Sequence, residues 1–242
     1  MLSKTISKMR RLLKFYLQDK QYSEYDFWRK EVEKRVKWYN GQIENLLDHP
    51  CPDENFKVKG FSLRENAIRT FIKANFSKYP KKLNLPANRF AGKKVLDIGC
   101  GPNPWIAAFT DCDAYGLDQL INEYRKLGFP MERFSQRLTY LKGGAENIPA
   151  KDNFFDAVIS VNAIDHVDNF AKAASEIKRV LKPNGEIRLE VHYHKSTVCE
   201  PWELNDSVML KNFGDIGIKK LSQTTFEGRT GTETITIWGN RE

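Results

Sequence analysis

KKVLDIGCGPNPW, residues 93–105, is the stretch that decides the fold. Two lysines lead into the apolar run Val95-Leu96-Asp97-Ile98. The chain then breaks into Gly99-Cys100-Gly101-Pro102-Asn103-Pro104. A strand that ends in glycines ahead of a helix usually holds a nucleotide-like ligand, because backbone N–H groups and the helix dipole face it. A dinucleotide pyrophosphate would need a third glycine for close packing of helix on strand. Pro104 holds that place, so a dinucleotide reading fails there.

Beyond Gly92, short apolar runs alternate with helical stretches. Strands are expected at 94–98, 113–118, 138–142, 155–161 and 186–192, and helices at 104–110, 119–127 and 168–181. Such alternation means an α/β fold, a parallel sheet with crossover helices on both faces. The tail differs: Ile216 to Phe226 and Thr232 to Trp238 are β-rich runs joined by EGRTG at 227–231, a hairpin signal. Upstream, helical spacing appears over 3–18, over Tyr25 to Leu47 (Trp28, Val32, Val36, Tyr39, Ile43, Leu46) and over Leu63 to Phe76, with Ser62 as N-cap. Tyr79-Pro80 is expected to stop the third helix, and Lys81 to Ala91 reads as a linker. The chain thus divides into an N-terminal helical extension, 1–90, and a main domain, 91–242.

The 242 residues, 40% apolar and 12% aromatic, suffice for a substantial core. No stretch approaches the ~18 consecutive apolar residues of a membrane span. Cys51, Cys100, Cys112 and Cys199 show neither C-x-x-C spacing nor a disulfide framework, so reduced thiols in a cytoplasmic protein are expected. Met1 to Leu17 is basic but has no continuous apolar core, and is a poor signal peptide. Residues 1–90 carry 20 Lys/Arg against 10 Asp/Glu and the remainder 19 against 21, so the +8 excess lies in the N-terminal third. That third is either a solvated helical cap, a lid over a phosphate-bearing acceptor, or a surface for RNA or an anionic membrane.

VLDIGCGPNP resembles the first motif of the class I S-adenosylmethionine-dependent methyltransferases, an acidic residue followed by G-x-G-x-G. Asp97, Gly99 and Gly101 match, and Asn103 stands for the last glycine, a replacement tolerable because Asn accepts left-handed backbone. Asp118 stands where the family places its ribose-hydroxyl acceptor. GGAENIPAKDNFFDAVISVNAIDHVDN, 143–169, and LKPNGEIRLEVHYH, 181–194, resemble the third-to-fourth-strand and fifth-strand segments, Asn184 standing for another glycine. The resemblance implies a Rossmann-like seven-stranded, mostly parallel sheet with an antiparallel last strand. It also implies S-adenosyl-L-methionine as cofactor, with Asp97, Gly99, Cys100, Gly101, Asp118, Gln119, Ala145, Glu146 and Asn162 around it. Asp97 either meets the cofactor or caps the glycine loop.

Methyl transfer mainly requires alignment of donor and acceptor, and a hydroxyl acceptor must also lose a proton. Of four histidines, His166, His192 and His194 fall near the expected site, and Asp165 adjoins them; these are the candidate catalytic residues. They show no recognisable metal-ligand spacing, and no metal is expected. The expected reaction is O-methylation of a small acceptor, by fold-level analogy a sugar or phosphate- or nucleotide-linked glycan group of surface polysaccharide synthesis. The alternatives are an RNA or tRNA methyltransferase using the basic third, and an inactive binding module. No oligomeric state is readable.

Overall fold

The structure, a computed structural model, describes residues 20–40, 63–129, 131, 137–197, 199–228 and 231–241. The expected helix over 3–18, the Ser62 cap and the 41–47 end of the second helix lie outside these residues. A helix over 20–40 (α1) precedes α2 (Leu63–Ala74) and α3 (Lys78–Lys82). The main domain then runs β1 (Lys94–Ile98), β2 (Asp113–Asp118), α4 (Ile121–Lys126), β3 (Leu138–Lys142), β4 (Phe155–Val161), α5 (Phe170–Val180), β5 (Leu181–Tyr193), α6 (Asp206–Phe213), β6 (Lys219–Gly228) and β7 (Gly231–Gly239). Short 3₁₀ turns at Trp105–Ala108 and Ile164–His166 follow β1 and β4.

The seven strands form one sheet in the order β3-β2-β1-β4-β5-β7-β6. β1 to β5 pair in parallel and β7 runs antiparallel to both β5 and β6. The expected architecture is therefore the observed one. Reversal of strand order between β1 and β4 opens a crevice at their carboxyl ends, where open α/β sheets hold ligands.

Strand alternation sorts the core into two layers. Val95, Ala114, Ile159 and Val161 face α1–α4, packing with Val32, Ile68, Ile72, Leu83 and Phe90. Leu96, Ile98, Val158, Ile187 and Val191 face α5 and α6, packing with Phe170, Ile177, Met209, Phe213 and Trp238. α5 follows from its sequence: Asn169 caps it by accepting the Lys172 N–H at 2.9 Å, and Phe170, Ala173, Ala174, Ile177 and Val180 form one buried stripe.

Two readings need correction. Lys81 to Ala91 is not a linker. Pro80 sits within the first turn of α3, where its missing N–H costs nothing, and Leu83 and Phe90 are fully buried. Lys82 reaches Glu190 of β5 at 2.5 Å, and Arg89 reaches Glu186 at 3.0 Å. The basic segment is thus fastened to a row of buried acids on one face of β5. The second correction is α6, which was not expected: eight residues, capped by Asn205 accepting the Val208 N–H at 3.0 Å, with only Met209 and Phe213 buried.

Candidate active site

At the β1–β2 edge, the N–H groups of Gly99 and Cys100 both donate to the Leu117 carbonyl, at 2.9 and 3.2 Å, stitching the loop to β2. Gly99 and Gly101 take left-handed backbone, φ +66° and +59°. A Cβ on Gly99 would lie 2.2 Å from the Ala163 Cβ, so the loop packs directly on the segment that follows β4. Asn184 takes the left-handed backbone its place implies, φ +59°, whereas Asn103 is absent from that region. Asn103 is instead buried, and its side chain accepts from Arg35 at 2.9 Å.

Asp118 accepts the Gly101 N–H at 3.0 Å and the Leu120 N–H at 2.8 Å. Burial pushes its pKa up to about 6, against the pull of those two bonds. Asp118, not Asp97, therefore caps the loop. Asp97 is wholly buried and neither carboxylate oxygen has a hydrogen-bond partner. Its pKa stands well above the usual range, through burial foremost, while the Tyr79 hydroxyl, close but outside hydrogen-bond geometry, pulls it down. The Cys100 thiol is buried in the core and donates to the Gly101 carbonyl at 3.3 Å.

α1 lies across this edge. Gln21 donates to Gln119 at 3.0 Å, Lys20 bonds the His166 carbonyl and pairs with Asp168 at 2.9 Å, and Trp28 sits 3.3 Å from where a Gly101 Cβ would be. The buried Arg35 stacks its guanidinium 4.2 Å from the Phe71 ring centroid; burial lowers its pKa to about 10. Between α1 and the sheet is a cavity of about 600 Å³ lined by Tyr22, Tyr25, Gln119, Leu120, Lys142 and Gly143, among others. Ala145 is buried in the α5 layer. Glu146 turns away to accept the Asp168 and Asn169 N–H groups, at 2.7 and 3.2 Å, at the start of α5. Asn162, φ +50°, keeps its side-chain oxygen buried and unbonded.

The β4–β5 edge brings Asp165, His166 and His194 together with Glu200. Asp165 is fully buried, with both oxygens unbonded. His194 Nε2 lies 3.6 Å from Asp165 and 3.9 Å from Glu200, and His166 Nε2 lies 3.5 Å from Glu200 and 3.9 Å from Asp165. The two carboxylates, Asp165 foremost, raise the His194 pKa to about 9. For His166, burial pulls down and Glu200 with Asp165 outweighs it, so the net shift is upward. His166 in turn holds Glu200 down at about 2. His192 stands apart, 6.4 Å from the His194 ring centroid; burial lowers its pKa, and its Nε2 is buried without a partner. Sequence reasoning missed Glu200. The available signal was T-x-x-E two residues beyond H-x-H: Thr197 donates to the Glu200 carboxylate at 3.0 Å and accepts its N–H at 3.1 Å.

Residues 96–189 match the family described as Methyltransferase domain. The sterol 24-C-methyltransferase of Yarrowia lipolytica is 32% identical over 153 residues, 56% of this chain and 40% of that one. The ERG6B enzyme of Gibberella zeae, of the same name, is 41% identical over 101 residues, 39% and 26% of the two chains. An uncharacterised protein of Methanocaldococcus jannaschii is 31% identical over 123 residues, 50% and 51%. The chain thus spans between about a quarter and a half of these relatives' length. Among solved structures, the YcgJ protein of Bacillus subtilis superposes with a TM-score of 0.55 at 17% identity, covering 69% of this chain and 97% of that one. The phosphoethanolamine N-methyltransferase 2 of Haemonchus contortus does so with 0.53 at 16% identity, covering 66% and 52%. With the motif loop, the strand order and the antiparallel β7 on the same chain, residues 96–189 match a methyltransferase domain and the fold is that of the class I S-adenosylmethionine-dependent methyltransferases.

Proposed function

We propose that the chain transfers a methyl group from S-adenosyl-L-methionine to an oxygen of a small polar acceptor. The observation that carries the cofactor half is the loop itself: two left-handed glycines capped by Asp118, beside a buried carboxylate, Asp97, with unused acceptor capacity. These features fit a polar nucleoside bearing positive charge. Gly99, Gly101, Asp118, Gln119 and Asn162 would hold it, with Ala145 behind. Cys100 contributes shape rather than a contact, and the bonds of Glu146 assign it to α5. The bound cofactor supplies a methyl already activated on a sulfonium sulfur. The chain's part is then to align the acceptor, exclude water and take up a proton.

The acceptor half rests on the polarity of the β4–β5 edge. A sterol, the acceptor in the relatives' names, needs an apolar wall, whereas Asp165, His166, His192, His194 and Glu200 offer five ionisable groups. A hydroxylated acceptor suits them, with His192, whose Nε2 is buried and unpartnered, as the proton acceptor. The names of the relatives give no support to polysaccharide synthesis. Against the RNA reading stand the ion pairs along α1, where Arg29 pairs with Asp26 and Glu33, Lys30 with Asp26, and Lys34 with Glu31.

Calorimetry with S-adenosylhomocysteine tests the first half: wild type binds and Asp118→Ala binds at least about tenfold more weakly, by loss of a charged hydrogen-bond acceptor. Absence of wild-type binding ends the proposal. Methyl-transfer assays on hydroxylated, amine and sterol acceptors test the second. Products confined to sterol carbon would replace the oxygen assignment.

A further inference from the structure

Three ionisable side chains at the β4–β5 edge, Asp165, His194 and Glu200, converge on one point, with His166 on the far side of the two carboxylates, and none of the four bonds another. The four Nε2–carboxylate separations, 3.5, 3.6, 3.9 and 3.9 Å, are too long or too poorly aligned for hydrogen bonds. Asp165 is wholly buried, yet both its oxygens, His166 Nε2 and His194 Nε2 lack any hydrogen-bond partner. Buried polar atoms that go unsatisfied as a group ask for a shared partner at their centre. Single ligand atoms of Asp165, His194 and Glu200 lie within 4.8 Å of one another. Ligands held at ~2.0–2.1 Å around a tetrahedral cation stand roughly 3.3–3.4 Å apart. The separations of His194 Nε2 from Asp165 and Glu200, 3.6 and 3.9 Å, need only a slight contraction to reach that.

The surrounding bonds orient the donors. The Lys195 carbonyl, 2.7 Å from His194 Nδ1, can only accept, so Nδ1 keeps its hydrogen and Nε2 is the nitrogen that ligates, a cation taking the place of its proton. Thr197 holds the Glu200 carboxylate in place. We propose that Asp165, His194 and Glu200 form a binding site for a first-row divalent cation, of which Zn²⁺ fits the mixed nitrogen–oxygen donors and the three-ligand open site best. The site lies beside Ala163, which touches the glycine loop, so a cation there sits at the acceptor side of the methyltransferase domain. Its existence does not depend on which acceptor is methylated, or on methyl transfer at all.

The full chain is stripped with chelator and titrated with Zn²⁺ by calorimetry, and with Co²⁺ by visible absorption. One equivalent should bind, with Co²⁺ giving the intense bands of a tetrahedral site. Glu200→Gln and His194→Ala should each weaken binding by about tenfold to a hundredfold, whereas His192→Gln should leave it unchanged. S-adenosylhomocysteine binding and thermal melting report whether each variant is folded. No stoichiometric binding of either metal to folded wild type overturns the site, as does binding that both Glu200→Gln and His194→Ala leave intact.

Discussion

The two halves of the sheet's carboxyl edge are built by different means. At β1–β2 the site is local. Gly99, Gly101 and Asp118 lie within twenty residues, and their geometry follows from a glycine loop stitched to the neighbouring strand. At β4–β5 it is assembled from the turn after β4, the end of β5 and the coil beyond it, with Glu200 supplied by a segment of irregular backbone. The lesson is physical. Backbone conformation constrains which residue types a loop accepts, so a backbone-built site marks its sequence. A side-chain cluster needs only proximity, which the sequence does not write down.

Gly99→Ala should break the local half most severely. The new Cβ meets Ala163 at 2.2 Å and the backbone is left-handed, so a loss of about 3–4 kcal/mol by chemical denaturation is expected, with S-adenosylhomocysteine binding abolished. An unperturbed variant would mean that the loop is held less tightly than described.

Next in size is a pH effect. The folded-state pKa of Asp118, about 6, lies above its ordinary 3.8, so its ionised form is penalised by folding. That contribution is fully favourable below the unfolded pKa and disappears as pH rises through about 6. Between about pH 8 and pH 4, wild type should gain up to about 3 kcal/mol relative to Asp118→Asn. Parallel unfolding curves for the two proteins across this range would refute the assignment.

Arg35→Met tests whether α1 is coupled to the loop. It removes the bond to Asn103 and the stacking on Phe71, and about 1–2 kcal/mol should be lost. Glu146→Gln is the mildest. It weakens the acceptor for two N–H groups at the start of α5, costing about 1 kcal/mol, while S-adenosylhomocysteine affinity stays unchanged. A large affinity loss would return Glu146 to the cofactor's surroundings.

Strand positions were legible because short apolar runs bounded by glycine, proline and asparagine carry their own period; all five parallel strands stand where alternation put them. The packed stretch from Lys82 to Phe90 was not, since it is held by burial of Leu83 and Phe90 and by ion pairs with Glu186 and Glu190 about a hundred residues later. α6 escaped because two buried residues in eight make too faint a stripe. Asn103 and Asn184 make the same point from opposite sides. Both replace a glycine in the motif pattern, but only Asn184 uses left-handed backbone; Asn103 answers a distant arginine instead.

α1 spans the mouth of the cofactor crevice, tied at Gln119, at Asp168 and at Asn103. A molecule that passes through that mouth must pass the helix, so the strength of these three ties bears on exchange there. Slow product departure, with turnover that quickens when the tethers are cut, is the kinetic signature such an arrangement leaves.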